Sequence, residues 1–343
     1  MTPFQPVPFV PRRWLTNGHL QTIVGNFLPR QDRLPPYTAE LVEVSPATGN
    51  QISSQVLCHC HWQPEPVRAE RLTVILVHGL EGSSHSQYIV GNANKMWRAG
   101  LNVVRMNMRN CGGTESLSPT LYHSGLSGDV NAVMQSVTRR FGLERVALVG
   151  YSMGGNLVLK LGGELGHDLP IRPHGPILRA IVGVSPALDL GPSADALHLP
   201  HNRLYERRFR KALLKRFRRK AMLFPRVYDP ARADGVESLR DFDERITALY
   251  SGFSGADDYY FRAAAARVIN RIAVPTLILH ALDDPFIRIT AESRALIAAN
   301  PNITLIETEH GGHCAFLEAR RPAEHYDGYW AEATLLRFLL AHA

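Results

Sequence analysis

Gly150-Tyr151-Ser152-Met153-Gly154 stands between an apolar run at 146–149 and a stretch of helical composition that begins at Met153. In that strand–turn–helix setting a serine is presented at the edge of a sheet, and the glycines keep side chains away from neighbouring backbone. The chemistry this suits is acyl transfer, in which the Ser152 hydroxyl attacks a carbonyl. A hydroxyl is a poor nucleophile until a base takes its proton and a third group orients that base.

Both partners are expected later in the chain. The run 276–280 leads into Asp283-Asp284-Pro285-Phe286, and the run 303–307 leads into His310-Gly311-Gly312-His313. Each loop offers two candidates. Asp284, past the strand end and directly before a proline, is the expected acid, with Asp283 left to cap or brace the loop. His313, preceded by two glycines that let the chain swing over the sheet edge, is the expected base, and His310 is expected to shape the loop. The tetrahedral oxyanion of acyl transfer needs two fixed backbone N–H donors. Met153, next after the serine, is one. The other is expected from His78-Gly79-Leu80-Glu81-Gly82, with Leu80 favoured over Gly79 and His78 read as a pin for that loop.

The elements that must hold these residues follow from the hydropathy pattern. Short strand-like runs at 41–44, 54–61, 72–77, 102–107, 146–149, 179–184, 276–280 and 303–307 alternate with helical stretches at 88–99, 126–141, 153–166, 291–299 and 322–341. The first two runs alternate polar and apolar residues, as at an antiparallel edge, and most later ones are apolar, as in buried parallel strands. This predicts an α/β fold with a mostly parallel eight-stranded sheet and helices on both faces. Residues 1–38 read as an ordered arm, 39–187 and 268–343 as the core, and 188–267 as a helical cap insertion with two helical stretches and no strand.

Taken together, these motifs resemble the YheT-like (AB hydrolase 4) family of α/β-hydrolases, which includes eukaryotic phospholipases and fungal medium-chain ester synthases. The resemblance rests on Asn17-Gly18-His19-Leu20-Gln21-Thr22, on His78 to Ser86, on Tyr122-His123-Ser124-Gly125, on the serine turn, on Asp283 to Phe286 and on Gly311-Gly312-His313. It implies an α/β-hydrolase fold and a triad of Ser152, Asp284 and His313. One departure is Arg109-Asn110-Cys111, where the family usually has Arg-Gly-Cys. His19 and His123 belong to the shared blocks without an assignable chemical step; arm docking and loop bracing are their expected roles.

The chain has 343 residues and a net charge of +7. Ten Lys/Arg and one Glu fall within 203–220, and the rest of the chain holds 28 basic and 30 acidic residues. The basicity therefore belongs to one helix, through which Phe209, Leu213 and Phe217 run as an apolar stripe. That helix reads as a lid over the pocket, with contact to anionic membrane as its other use and no nucleic-acid motif beside it. Cys58, Cys60, Cys111 and Cys314 form neither a disulfide framework nor a zinc spacing, and strand alternation splits Cys58-His59-Cys60-His61 between two faces. No metal and no cofactor is called for. The proline-interrupted opening lacks a secretory pattern and no apolar run is long enough to span a membrane, so a cytoplasmic enzyme acting on small acyl esters is the expectation.

Overall fold

The computed structural model describes residues 4–49, 52–166 and 177–343; the first three residues of the expected arm lie outside them. Eight strands form one sheet: β1 Thr38–Ser45, β2 Ser54–His61, β3 Thr73–Val77, β4 Asn102–Met106, β5 Arg145–Tyr151, β6 Ile177–Val184, β7 Thr276–Ala281 and β8 Ile303–Thr308. Their order is β1-β2-β4-β3-β5-β6-β7-β8. β1 and β2 pair antiparallel, β2 meets β4 antiparallel, and every later pairing is parallel. Half-polar strands occupy the edge, where one face meets solvent, and the β-branched strands β3, β4 and β5 are buried along almost their whole length.

Helices cover both faces. α1 Gly18–Phe27 lies in the arm, followed by α2 Gln87–Arg98, α3 Ser127–Phe141 and α4 Met153–Leu165. The segment between β6 and β7 contains α5 Leu190–His198, α6 Arg203–Leu223, α7 Leu239–Phe242, α8 Leu249–Ser251 and α9 Ala256–Ala263, with a π-helical turn at Asp243–Ala248. α10 Ala291–Ala298 and α11 Trp330–Ala341 close the chain. Successive strands are added on opposite sides of β3, because β4 pairs on one side and β5 on the other. The carboxyl ends of β3 and β5 thus flank the crevice where ligands of open α/β sheets bind.

Two expectations change. The helix read over 322–341 begins only at Trp330. A short 3₁₀ turn at Pro322–Glu324 precedes it, and Gly328 with φ +87° breaks the run, since a left-handed residue cannot continue a right-handed helix. Between β6 and β7 the basic stretch forms one continuous helix, α6, as expected, but the second helical stretch is divided into shorter pieces. Gly252 at φ +74° ends one of them, and Pro230 opens a 3₁₀ turn.

Candidate active site

Ser152 sits between β5 and α4 with φ 53° and ψ −117°, a positive φ that a non-glycine residue adopts at a cost of about 1–3 kcal/mol. Close packing holds it there. A Cβ on Gly150 would lie 2.1 Å from the Gly154 carbonyl oxygen, and one on Gly154 would lie 2.4 Å from that of Val77. No side chain fits at either place, so the turn brings its backbone directly onto the end of β3.

The β7 loop places Asp284 in the interior and against His313. Asp284 Oδ1 accepts from the backbone N–H groups of Phe286 (3.1 Å) and Ile287 (2.9 Å), and Oδ2 accepts from His313 Nδ1 at 2.8 Å. Burial opposes the Asp284 charge, but the His313 charge and these hydrogen bonds outweigh it and hold the carboxyl below its ordinary range. Burial likewise opposes the imidazolium of His313, and Cys314 and Asp284 outweigh it, so that its pKa is raised. With Nδ1–H committed to Asp284, Nε2 is left as the free, proton-accepting nitrogen.

The competing residues form a second pair one step outward. Asp283 Oδ1 accepts from Gly312 N–H at 2.8 Å, and Asp283 Oδ2 lies 3.5 Å from His310 Nδ1. Asp283 therefore ties the β7 loop to the histidine loop and does not reach His313.

Ser152 and His313 line one cavity of about 350 Å³. Among the described residues no hydrogen bond joins them, a looseness common in unliganded sites whose contacts tighten around substrate. A second cavity of about 120 Å³ meets Ser152 from the cap side, lined by Leu80, Met153, Leu197, Leu213, Phe242 and Tyr260 among others. It is mostly apolar. Asp243 also faces it, buried and pushed up to about 6 by that burial, against hydrogen bonds from Thr247 (2.7 Å) and Tyr260 (2.8 Å).

Leu80 and Met153 share this wall with Ser152. The neighbouring Gly79 N–H is already donated to Tyr88 Oη at 2.8 Å, so it is not free to meet an oxyanion. His78 is buried at the end of β3. Its Nε2 accepts from Met108 N–H (3.1 Å), so its Nδ1 carries the proton and donates to the Gly79 carbonyl at 2.8 Å. Burial lowers its pKa to about 4, and the ring stays neutral as a brace.

Several residues of the shared blocks act around the site through packing that the sequence does not spell out. Thr22 of α1 accepts from His313 N–H at 2.8 Å, and Gly312 packs so closely on Gly18 that a Cβ would lie 2.4 Å from its carbonyl oxygen. The arm thus supports the histidine loop from outside. His19 stacks on Tyr205, with ring centroids 5.7 Å apart, and docks the arm to α6. His123 Nδ1 accepts from Gly125 N–H at 3.1 Å, and burial lowers its pKa to about 4.

The cap helix is not a wholly solvated basic face. Arg216 turns inward and donates to Glu81 through Nε (2.7 Å) and Nη2 (3.0 Å), and Glu81 also accepts from Tyr122 Oη at 2.5 Å. Glu81, next to Leu80, has φ +57°. Lys220 is fully buried, donating to Asn110 Oδ1 (2.6 Å), to the Glu115 carbonyl (2.8 Å) and to the Ser118 carbonyl, and burial lowers its pKa to about 7. Asn110, the departure from Arg-Gly-Cys, has φ +65°; it keeps the left-handed backbone that glycine favours and adds an acceptor for the buried lysine. In β2, Cys58 and Cys60 enter the core beneath α3, while His59 and His61 face Tyr37 on the other side.

The α/β-hydrolase-fold family model matches residues 73–320. Escherichia coli YheT is 32% identical over 90% of this chain and 87% of its own. Phospholipase ABHD3 of Bos taurus is 27% identical over 92% of this chain and 75% of its own. An esterase of Pyrococcus furiosus shares the fold, with TM-score 0.52 at 15% identity over 98% of this chain and 99% of that one.

Proposed function

The chain belongs to the YheT-like branch of the α/β-hydrolase family and is a hydrolase of the esterase type, and we propose that it cleaves carboxylic esters through an acyl-enzyme on Ser152. The observation that carries this reading is the buried Asp284–His313 pair at 2.8 Å, which opens with Ser152 onto one cavity.

In this mechanism His313 Nε2 takes the proton as Ser152 Oγ attacks the ester carbonyl, and Asp284 holds the imidazolium that forms. The N–H groups of Met153 and Leu80 receive the oxyanion. His313 then returns its proton to the leaving alkoxide; water, deprotonated by the same nitrogen, attacks the acyl-serine, and His313 gives that proton to Ser152 Oγ as the acyl C–O bond breaks and the acid leaves. An alcohol in place of water gives a new ester, so acyl transfer is a branch of the same path. The apolar cavity under the cap suits a short- to medium-chain acyl group, and the larger cavity at His313 suits the leaving group. The reading needs neither cofactor nor metal. Its partners are small, lipid-like acyl esters, and the basic face of α6 is the part that would meet an anionic membrane. The four cysteines are unpaired, which suits the reducing cytoplasm.

The test is a panel of p-nitrophenyl esters from acetate to palmitate, with Ser152→Ala as control and fluorophosphonate labelling of the wild type. Turnover that peaks at or below medium chain length and disappears with Ser152→Ala is expected. Equal rates for wild type and variant would overturn the proposal.

A further inference from the structure

The mouth of the larger cavity lies between the arm and the cap. Ile23, Asn26 and Phe27 of α1 stand on one side, and Arg208, Phe209 and Ala212 of α6 on the other. The outer face of α1 is apolar: Leu20, Ile23 and Phe27 recur at spacings of three and four and are 48%, 44% and 63% exposed. The outer face of α6 is basic, with Arg207, Arg208, Lys211, Lys215, Arg218 and Arg219 exposed along one stripe and Leu204 80% exposed at its start. The two faces are continuous, since the Arg208 guanidinium lies 5.0 Å over the Phe27 ring.

Folding does not account for this surface. Exposing three large apolar side chains on one short helix forgoes burial worth roughly 25 cal/mol per Å². Like charges in line along a helix repel one another. Among the described residues, Arg207, Arg208, Lys211, Lys215 and Arg218 have no carboxylate within 4.0 Å, and only Arg219 approaches one, Glu115 at 3.8 Å. Apolar groups beside uncompensated cations fit a surface that is itself apolar inside and anionic outside. α1 offers aliphatic side chains and one phenyl ring, with no row of aromatic rings on which nucleic-acid bases could stack.

We infer that α1 and α6 form one docking face for an anionic lipid bilayer. The α1 side chains enter the acyl boundary, the α6 cations meet the headgroups, and the cavity mouth between them faces the membrane. Lipid esters would then reach Ser152 directly from the bilayer, a consequence that rests on the esterase reading; the docking itself does not.

The experiment is co-sedimentation of the Ser152→Ala chain with large unilamellar vesicles of phosphatidylcholine, with and without about 30% phosphatidylserine, across a sodium chloride series. Two further chains use exposed residues outside both cavities: Leu20→Ser, and Lys211→Gln with Lys215→Gln and Arg218→Gln. Each cation near an anionic surface is worth about fivefold in affinity, so the triple variant should bind about a hundredfold more weakly. Leu20→Ser should bind several-fold more weakly at every salt concentration. The same changes in an otherwise wild-type chain should leave turnover of a soluble short-chain ester unchanged. Equal binding to neutral and anionic vesicles, an unaltered triple variant, or retention by heparin without vesicle binding would each overturn the docking inference. Loss of soluble-ester turnover in the wild type would instead strike the esterase reading.

Discussion

Removing the Arg216 side chain tests whether the cap helix positions the oxyanion loop or merely covers it. Arg216 holds Glu81 by two charge-assisted hydrogen bonds, at 2.7 and 3.0 Å, and the side chains of the pair are only 15% and 12% exposed. Glu81 occupies a left-handed conformation that costs about 1–3 kcal/mol and persists only where its surroundings enforce it. After Arg216→Ala, the Tyr122 hydroxyl is the only side chain among the described residues still binding the Glu81 carboxylate. A fully buried pair broken in this way costs about 3–5 kcal/mol. Residual exposure reduces that to roughly 2–3 kcal/mol here, or about 3–4 °C in Tm for a chain of 343 residues. The catalytic effect has its own ceiling. Loss of one oxyanion donor lowers kcat by about 10²–10³, so a displaced Leu80 N–H should lower kcat about a hundredfold and leave KM within about threefold. Arg216→Lys keeps the charge but not the fork, and a tenfold loss of kcat is expected. The assay is steady-state ester hydrolysis at least 15 °C below each variant's Tm, paired with the Kd of a trifluoromethyl ketone that forms the tetrahedral adduct. Adduct affinity should fall in step with kcat. Wild-type kcat in a folded Arg216→Ala chain, or a loss confined to KM, would refute the positioning argument.

Other expectations follow from the same geometry. Asp284→Asn should keep the fold but lower kcat by about 10⁴, because an amide favours the wrong tautomer of His313. The wild-type activity should rise with pH along a limb displaced above the ordinary histidine value, because the His313 pKa is raised, and in Asp284→Asn that limb should move to lower pH in a pH–kcat/KM profile. The sign for stability is the reverse. The His313 contribution is present below the unfolded histidine pKa of about 6.5 and is lost as pH rises through the folded value, so thermal melts of Asp284→Asn and wild type should converge on the alkaline side. Gly154→Ala would place a Cβ 2.4 Å from the Val77 carbonyl oxygen, and little folded protein is expected by circular dichroism or size exclusion. Thr22→Val removes the acceptor of His313 N–H, and kcat should fall about three- to tenfold with Tm lowered by a few degrees, measured by the ester assay and a thermal melt.

The chain's own order made much of this legible. A period-two pattern at the start, apolar runs later and a glycine-flanked serine between a strand and a helix determine an α/β sheet with Ser152 at its edge, because side-chain alternation and steric room at glycine are local properties. Loop position favours Asp284 over Asp283 and His313 over His310, and the folded loops add what sequence lacks: Asp284 meets His313 at 2.8 Å, while Asp283 lies against His310 and ties the two loops together through Gly312. Nothing local marks Thr22 as a support for the histidine loop, because that hydrogen bond spans 291 positions in the chain. The basic helix shows the same division. Composition places ten cations in one segment, but whether a given lysine faces water or three buried acceptors depends on the loops packed beneath it, and tertiary structure alone turns Arg216 toward Glu81, buries Lys220 against Asn110, and leaves Arg207, Arg208, Lys211, Lys215, Arg218 and Arg219 in line with the apolar face of the arm.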